Sequence, residues 1–379
     1  MVTAIKNINA YLAFNQLAFS QEDIIYAHKG IWGQGVREST LFSLWGFHFL
    51  RALSRQCPHL GRYVVYKLPN NAHKSYSESE GSSYLYITSE TLKKGWIMSN
   101  QSIHSQQSLV AKTLKPLYRN QDKELWLVYN DQGTNILDGS FGSFGHAKGV
   151  VAANKDGGFW LVHSVPHFPP VENEYSYPKT GLRNGQSMLC ISILKDQLDI
   201  LGQILTYYKP LIKGKRISAD LRSVYPQLVA AAEGAVIKKA PWQMFTSIKS
   251  AGGRSFSNFA KARKFNKDLY QWVAEQFQTS ILTETWLNEL HPLPSTCNIY
   301  EVLNVESIKF DEQPFQFSSS KDHSKWAVSK SISKPWVCIG DINRALHQEK
   351  RGGGTMCLED KLLWKAYRSI VDKISECKS

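Results

Sequence analysis

From residue 62 onward, apolar and polar positions alternate in short runs bounded by turn residues, the pattern of β-strands. Residues 63–68 (YVVYKL) read as a strand that stops at Pro69-Asn70-Asn71. Residues 84–87 and 125–129 read as two more, the second ending in Asn130-Asp131. A buried strand is expected over 149–153, a hairpin turn at Asp156-Gly157-Gly158, and the return strand over 159–165. Prolines at 166, 169 and 170 then force an extended loop. A helix over 108–118 stops near Pro116. The middle of the chain changes to a helical period, with helices expected over 194–207, 219–232 and 269–277. Residues 250–254 form a Gly-rich break. Strands return at 300–305, 307–310, 323–329 and 336–340, residues 351–354 loop, and 361–374 reads as a closing helix. The mixture predicts an α/β fold of mixed type, with no linker that separates independent domains.

The first 56 residues do not continue this pattern. Residues 41–50 (LFSLWGFHFL) form an apolar run between Arg37 and Arg51. It is too short to span a bilayer and of a length that suits a signal-peptide core, so 41–53 is a signal-like segment. A long stretch precedes it, which fits a displaced start, a misjoined exon, or a buried helix in a genuine N-terminal extension. Residues 1–56 are therefore set apart from a catalytic domain over 57–379.

At 379 residues, 42% hydrophobic with 11 Trp, 17 Tyr and 17 Phe, the chain can bury a large core and is not of the disordered class. A net charge of +13 would attract a polyanion and speed its capture, although solvated surface lysines give the same sum. None of the six cysteines forms a C-x-x-C pair, which argues against a zinc knuckle. Their even number and wide spread suit disulfides in an oxidising compartment. Asn100-Gln101-Ser102 is the one N-glycosylation sequon.

Two stretches carry candidate chemistry. His146-Ala147-Lys148 is followed by Phe159-Trp160-Leu161-Val162-His163-Ser164, and Asp322-His323-Ser324-Lys325 by Trp336-Val337-Cys338-Ile339-Gly340. The two His-x-Lys pairs lie 177 positions apart. On a strand, both side chains of such a pair share one face. An imidazole can attack phosphorus or pass a proton, and a neighbouring ammonium can hold a phosphate oxygen. Two such halves facing each other would make a metal-free phosphodiesterase site. Chance alone produces His-x-Lys pairs in a chain rich in lysine. The weight rests on the shared frame, a Trp that opens an apolar run after a gap of ten or eleven residues, then a Ser or Gly.

At these residues the chain resembles the deoxyribonuclease II family, the acid endonucleases of lysosomes. The matching blocks are VVYKLP (64–69), KPLYRN (115–120), YND (129–131), GHAKGV (145–150), GGFWLVHSVPHFPP (157–170), LTETW (282–286), LPSTC (293–297), DHSKW (322–326), WVCIGDINR (336–344) and RGGGTMC (351–357). They run collinearly through 57–379. The segment YPKTGLRNGQS (177–187), LTETW and the short tail after Cys377 are similar to the beta branch. Only residues 58–63 separate the first cysteine from the VVYKLP strand, and Gly61-Arg62 stand where the family has Asp-Trp.

The resemblance implies a phospholipase D-like pseudo-dimer. Two αβ halves with mixed sheets, about 57–190 with the HAK motif and 191–379 with the HSK motif, would meet at a shared active site. The phospholipase D pattern adds an Asn in a Gly/Ser-x-x-Asn segment after each pair. Gly340-Asp341-Ile342-Asn343 fits it, whereas Ser164-Val165-Pro166-His167 ends in His where relatives often carry Asn or Gln. Asp322 and Ser164 could orient the neighbouring histidines. The family's disulfide pattern implies Cys57–Cys190, Cys297–Cys377 and Cys338–Cys357.

The implied activity is acid, metal-independent cleavage of DNA to 3′-phosphate and 5′-hydroxyl ends through a phosphohistidine. His146, Lys148, His323 and Lys325 would be catalytic, with Asn343, Ser164, His167 and Asp322 in support. Either histidine could be the nucleophile. No cofactor, metal, membrane span or stable protein partner is expected, DNA is the substrate, and the location is lysosomal or secreted. A phosphodiesterase for phospholipids and a DNA-binding pseudoenzyme are the rival readings. His163, Trp160, Trp326 and Trp336 read as core. Arg254 reads as surface, and Arg351 as phosphate contact or solvated loop. Residues 261–267 (KARKFNK) read as a solvated helix face or a backbone-tracking patch.

Overall fold

Strands that alternate inward and outward residues, yet are apolar on both sides, build two sheets covered on both faces. In a computed structural model, residues 61–70, 80–119, 124–132, 140–171, 174–311 and 315–377 are described. The N-terminal extension with its signal-like segment at 41–53, and Cys57, lie outside these residues. The first sheet contains β1 (Arg62–Lys67), β2 (Tyr84–Thr88), β3 (Ile97–Met98), β4 (Leu125–Asn130), β5 (Lys148–Ala153), β6 (Gly157–His163), β7 (Gln186–Leu194) and β8 (Ile212–Ile217). Its order is β3-β2-β1-β7-β6-β5-β4-β8. The second contains β9 (Gln243–Lys249), β10 (Ser255–Lys261), β11 (Ile281–Glu284), β12 (Val302–Phe310), β13 (Phe315–Ser318), β14 (Trp326–Ser329), β15 (Trp336–Gly340), β16 (Gly353–Glu359) and β17 (Val371–Ile374). Its order is β13-β12-β11-β14-β15-β16-β10-β9, with β17 paired to β12.

Seven strands run in the same order in both sheets: β8-β4-β5-β6-β7-β1-β2 and β12-β11-β14-β15-β16-β10-β9. Register repeats as well. Gly149 faces Val162 between β5 and β6, and Trp326 faces Ile339 between β14 and β15, each partner 177 positions on. One departure is that β4 and β8 are antiparallel whereas β11 and β12 are parallel.

Six α-helices are found among the described residues: α1 (Leu109–Tyr118), α2 (Lys195–Tyr208), α3 (Ala219–Arg222), α4 (Pro226–Ala232), α5 (Leu269–Phe277) and α6 (Lys361–Ser369). Side chains of Ser108, Asp268 and Asp360 cap α1, α5 and α6 by accepting from free N–H groups of the first turn. The main core lies between the sheets, where Tyr66, Trp160, Ile248 and Trp326 pack with Leu201 of α2 and Tyr367 of α6. Tyr63 and Val65 point the other way, against Val110 and Leu114 of α1. Tyr270 and Val273 of α5 cover the far side of the second sheet. None of these helices is long and apolar enough to cross a membrane.

Several sequence expectations change. The helix expected over 219–232 is two pieces, because Pro226 lacks an N–H and starts a new helix instead of continuing one. The closing helix ends at Ser369, and the chain re-enters the sheet as β17. Residues 300–310 hold a single strand, β12. The edge strands β8 and β9 escape the apolar criterion because polar residues, Lys213, Lys215 and Arg216 in β8 and Gln243, Thr246, Ser247 and Lys249 in β9, break the apolar pattern at a sheet edge. The two motif tryptophans are not equivalent. Register aligns Trp160 with Val337, so Trp160 enters the central core while Trp336 stacks on Phe277 at 3.8 Å on the opposite face.

Candidate active site

The histidines of both pairs lie just before the strands they feed rather than on them, since β5 begins at Lys148 and β14 at Trp326. Backbone bonding across the seam explains why. The His146 N–H donates to Gly352 O at 2.8 Å, and the His323 N–H donates to Gly185 O at 2.9 Å. Each histidine is thus drawn off its own sheet by a glycine carbonyl of the other half. A methyl group on Gly185 would overlap the Asp322 carboxylate, and one on Gly352 would overlap Tyr208 O, so only glycine permits the approach.

The side chains repeat the crossing. His146 Nδ1 lies 2.7 Å from Asp341 O, and His323 Nδ1 lies 2.9 Å from Ser164 O and 3.3 Å from Gln186 Oε1. Oxygen acceptors at Nδ1 place the ring proton there and leave the Nε2 lone pair free. Register equates Ser164 with Asp341, and these are the two residues whose carbonyls hold the rings. The frame that paired Ser164 with Gly340, and His167 with Asn343, is therefore shifted by one position.

The surroundings differ between halves. Asp131 ion-pairs with Lys148, accepts from Arg351 Nη2 at 3.0 Å, and lies 3.8 Å from His146 Nε2. Burial would raise the Asp131 carboxyl, but Lys148, His146 and Arg351 outweigh it and hold the group well below the usual carboxylate range. The matching place beside His323 is taken by Trp286, whose ring lies edge-on at 5.2 Å. Burial pushes both imidazoles well below the ordinary histidine range. Lys148, Arg351 and Lys325 add to this at His146, where Asp131 opposes them. At His323, Lys325, Lys148 and His146 all push downward and the bond to Ser164 O opposes them. Lys325 Nζ donates to His323 O at 2.6 Å and sits 3.0 Å from His323 Nδ1. Burial and Lys148 push its ammonium down to about 7.

The expected supporting residues fall in different places. Ser164 offers its carbonyl to His323, while its hydroxyl donates to Gln186 Oε1 at 2.6 Å. The Asp322 carboxylate accepts from Tyr66 Oη and from Ser324 N and Oγ. Asn343 Nδ2 donates to Glu289 Oε2 at 2.6 Å, and its Oδ1 accepts from Trp286 N at 3.3 Å. His167 is half-buried in a left-handed backbone conformation (φ 59°), and its Nδ1 has no hydrogen-bond partner among the described residues. His163, Trp160 and Trp326 are core, each at most 1% exposed. Lys261 is not on a solvated helix face; it ends β10, fully buried. Asp131, Gln186, Trp286 and Glu289 escaped the sequence reading as site residues. The blocks YND, LTETW and YPKTGLRNGQS held the first three without any titratable pattern to single them out.

Disulfides join Cys297 to Cys377 and Cys338 to Cys357, and Cys190 is disulfide-bonded as well. Asn100 is exposed. Among the described residues no three His, Cys, Asp or Glu side chains group as a metal site.

Comparison with known proteins gives these residues a family. The family model for deoxyribonuclease II matches residues 61–377. Deoxyribonuclease-2-alpha of Sus scrofa is 35% identical over 321 residues, 83% of this chain and 87% of that protein. Deoxyribonuclease-2-beta of Homo sapiens is 34% identical over 349 residues, 89% of this chain and 94% of that protein. Plancitoxin-1 of Acanthaster planci is 35% identical over 323 residues, 83% of this chain and 89% of that protein. With a seam that carries two buried imidazoles and a match along nearly all of the strand-forming sequence, the chain belongs to the deoxyribonuclease II family of endodeoxyribonucleases.

Proposed function

We propose that this chain is an acid, metal-independent endonuclease that cuts DNA phosphodiesters through a phosphohistidine, leaving 3′-phosphate and 5′-hydroxyl ends. One observation carries the reading: each imidazole is gripped through Nδ1 by a carbonyl of the opposite half, with a lysine two residues on. Both Nε2 atoms are thereby available to one phosphate. The ammonium groups of Lys148 and Lys325 supply positive charge for its non-bridging oxygens, the role a metal ion fills elsewhere.

The asymmetry between halves divides the labour. A general acid must be cationic before the attack, and Asp131 at 3.8 Å favours the imidazolium at His146. His323 faces lysines and the Trp286 ring, which favour a neutral nucleophile. His323 Nε2 attacks phosphorus, the P–O5′ bond breaks, and His146 passes its proton to O5′. His146 then takes a proton from water, whose oxygen displaces His323 and releases the 3′-phosphate. Burial holds the acid's pKa below the usual range, so its charged form grows as pH falls, and the rate rises with it. In this reading Asn343, with Glu289, steadies the loop beside Lys325, and His167 lines the Asp131 side of the site.

The matching strand orders and the 177-position register support a phospholipase D-like pseudo-dimer within 57–379. The division falls between β8 and β9, since β7 runs through residue 190. Disulfides and the exposed sequon at Asn100 favour a lysosomal or secreted protein, with DNA as substrate.

Plasmid incubated at about pH 5 with EDTA tests the activity. Nicked and linear products with 3′-phosphate ends are expected, and intact plasmid with folded protein refutes the reading. Thymidine 3′-(p-nitrophenyl phosphate) tests the roles, because p-nitrophenolate leaves without a proton. His146→Ala should release a burst of one p-nitrophenolate per enzyme, and His323→Ala none. The reverse pattern exchanges the two roles.

A further inference from the structure

Two buried lysines have no part in that chemistry. Lys67 ends β1 and Lys261 ends β10, and each is 0% exposed. Lys67 lies opposite Gln186 of β7, and Lys261 lies opposite Gly353 of β16. Register between β6 and β7, and between β15 and β16, makes those two partners equivalent, so the lysines are equivalent too. The Lys67 ammonium donates to Leu182 O at 2.9 Å and to Asn184 O. The Lys261 ammonium donates to Gln348 O at 2.9 Å, Glu349 O at 3.0 Å and Arg351 O at 2.5 Å. The acceptors also correspond: 182 with 349, and 184 with 351, at one constant spacing. The next residue in each turn is the glycine, Gly185 or Gly352, whose carbonyl takes the N–H of the opposite histidine.

Neither ammonium has a carboxylate within ion-pair distance among the described residues. A buried cation without an anion costs several kcal/mol, and it occurs here twice at matched positions. Burial draws both down to about 7, opposed by Asp322 at Lys67 and by Asp268 and Glu349 at Lys261. What each ammonium gains is a set of inward-pointing turn carbonyls that an apolar side chain would leave unsatisfied.

We propose that Lys67 and Lys261 are positioning residues that act crosswise. Lys67 pins the turn 182–185 that sets the His323 backbone, and Lys261 pins the turn 348–352 that sets the His146 backbone. The proposal rests on His323 and His146 being the reacting groups. A displacement of about 1 Å at a reacting atom costs about a hundredfold in rate, which sets the expected size of the effect.

The test compares Lys67→Met and Lys261→Met on DNA and on thymidine 3′-(p-nitrophenyl phosphate). Each variant should lose about a hundredfold in kcat on DNA with KM little changed. Lys67→Met should also slow the p-nitrophenolate burst, because it disturbs the nucleophile. Lys261→Met should keep the burst rate, because it disturbs only the acid. Should a methionine variant fail to fold, Lys67→Arg and Lys261→Arg replace it, keeping the charge while a planar guanidinium cannot meet the same carbonyls. Unchanged kcat, or equal loss on both substrates in both variants, overturns the proposal. The histidine variants on the same substrates report separately on the reading beneath it.

Discussion

Asp131 shows how much one carboxylate does at the scale of the residue. It is buried, neutralises Lys148, bonds Arg351 across the seam and faces His146. Its folded pKa is depressed, so its contribution to stability is fully present above the unfolded value of about 4 and is lost as pH falls through the folded value. The contribution is therefore intact at the acid pH proposed for the reaction. Asp131→Asn strips Lys148 and Arg351 of their anion, and about 3–5 kcal/mol of unfolding free energy should be lost at pH 6. Urea unfolding at pH 6 and at pH 3 checks this, and the gap between wild type and variant should narrow at the lower pH. The histidines and lysines of the two pairs were legible as candidate chemistry through the family blocks that surround them, because such pairs alone arise by chance in a lysine-rich chain. Asp131 was not, because an Asp after a strand-ending Asn reads as a turn.

Among the elements, the disulfides divide two kinds of work. Cys338–Cys357 staples neighbouring strands β15 and β16 in the core and spans 19 positions, whereas Cys297–Cys377 spans 80 positions nearer the surface. If restriction of the unfolded chain dominates, replacing Cys297 and Cys377 by alanine should cost about 1 kcal/mol more than replacing Cys338 and Cys357. Thermal melts of the two double variants decide it. Equal or inverted losses would show that packing around the buried pair outweighs the loop. Central strands such as β5 and β6 were legible because both faces are apolar. Edge strands β8 and β9 were not, because an edge is kept soluble by the residues that hide it from a hydrophobicity pattern.

Over the whole molecule, a charge of +13 should make DNA capture steeply salt-dependent. For His323→Ala bound to duplex DNA, six to ten phosphate contacts would weaken affinity by about a thousandfold or more between 50 and 200 mM salt. Fluorescence anisotropy across that range checks it, and a flat response would show that the charge is dispersed away from the DNA path. The sequence by itself determined the strand content of the core, the presence of two His-x-Lys units as candidate chemistry, and the family. Those follow from local patterns, which residue type and spacing encode directly. The tertiary structure alone decided which carbonyl holds each ring, that Trp160 and Trp336 are not counterparts, and that Lys67 and Lys261 are. Each of these depends on strand register between segments far apart in the chain, and a one-residue slip, invisible in a motif, turns a side chain to the other face of the sheet.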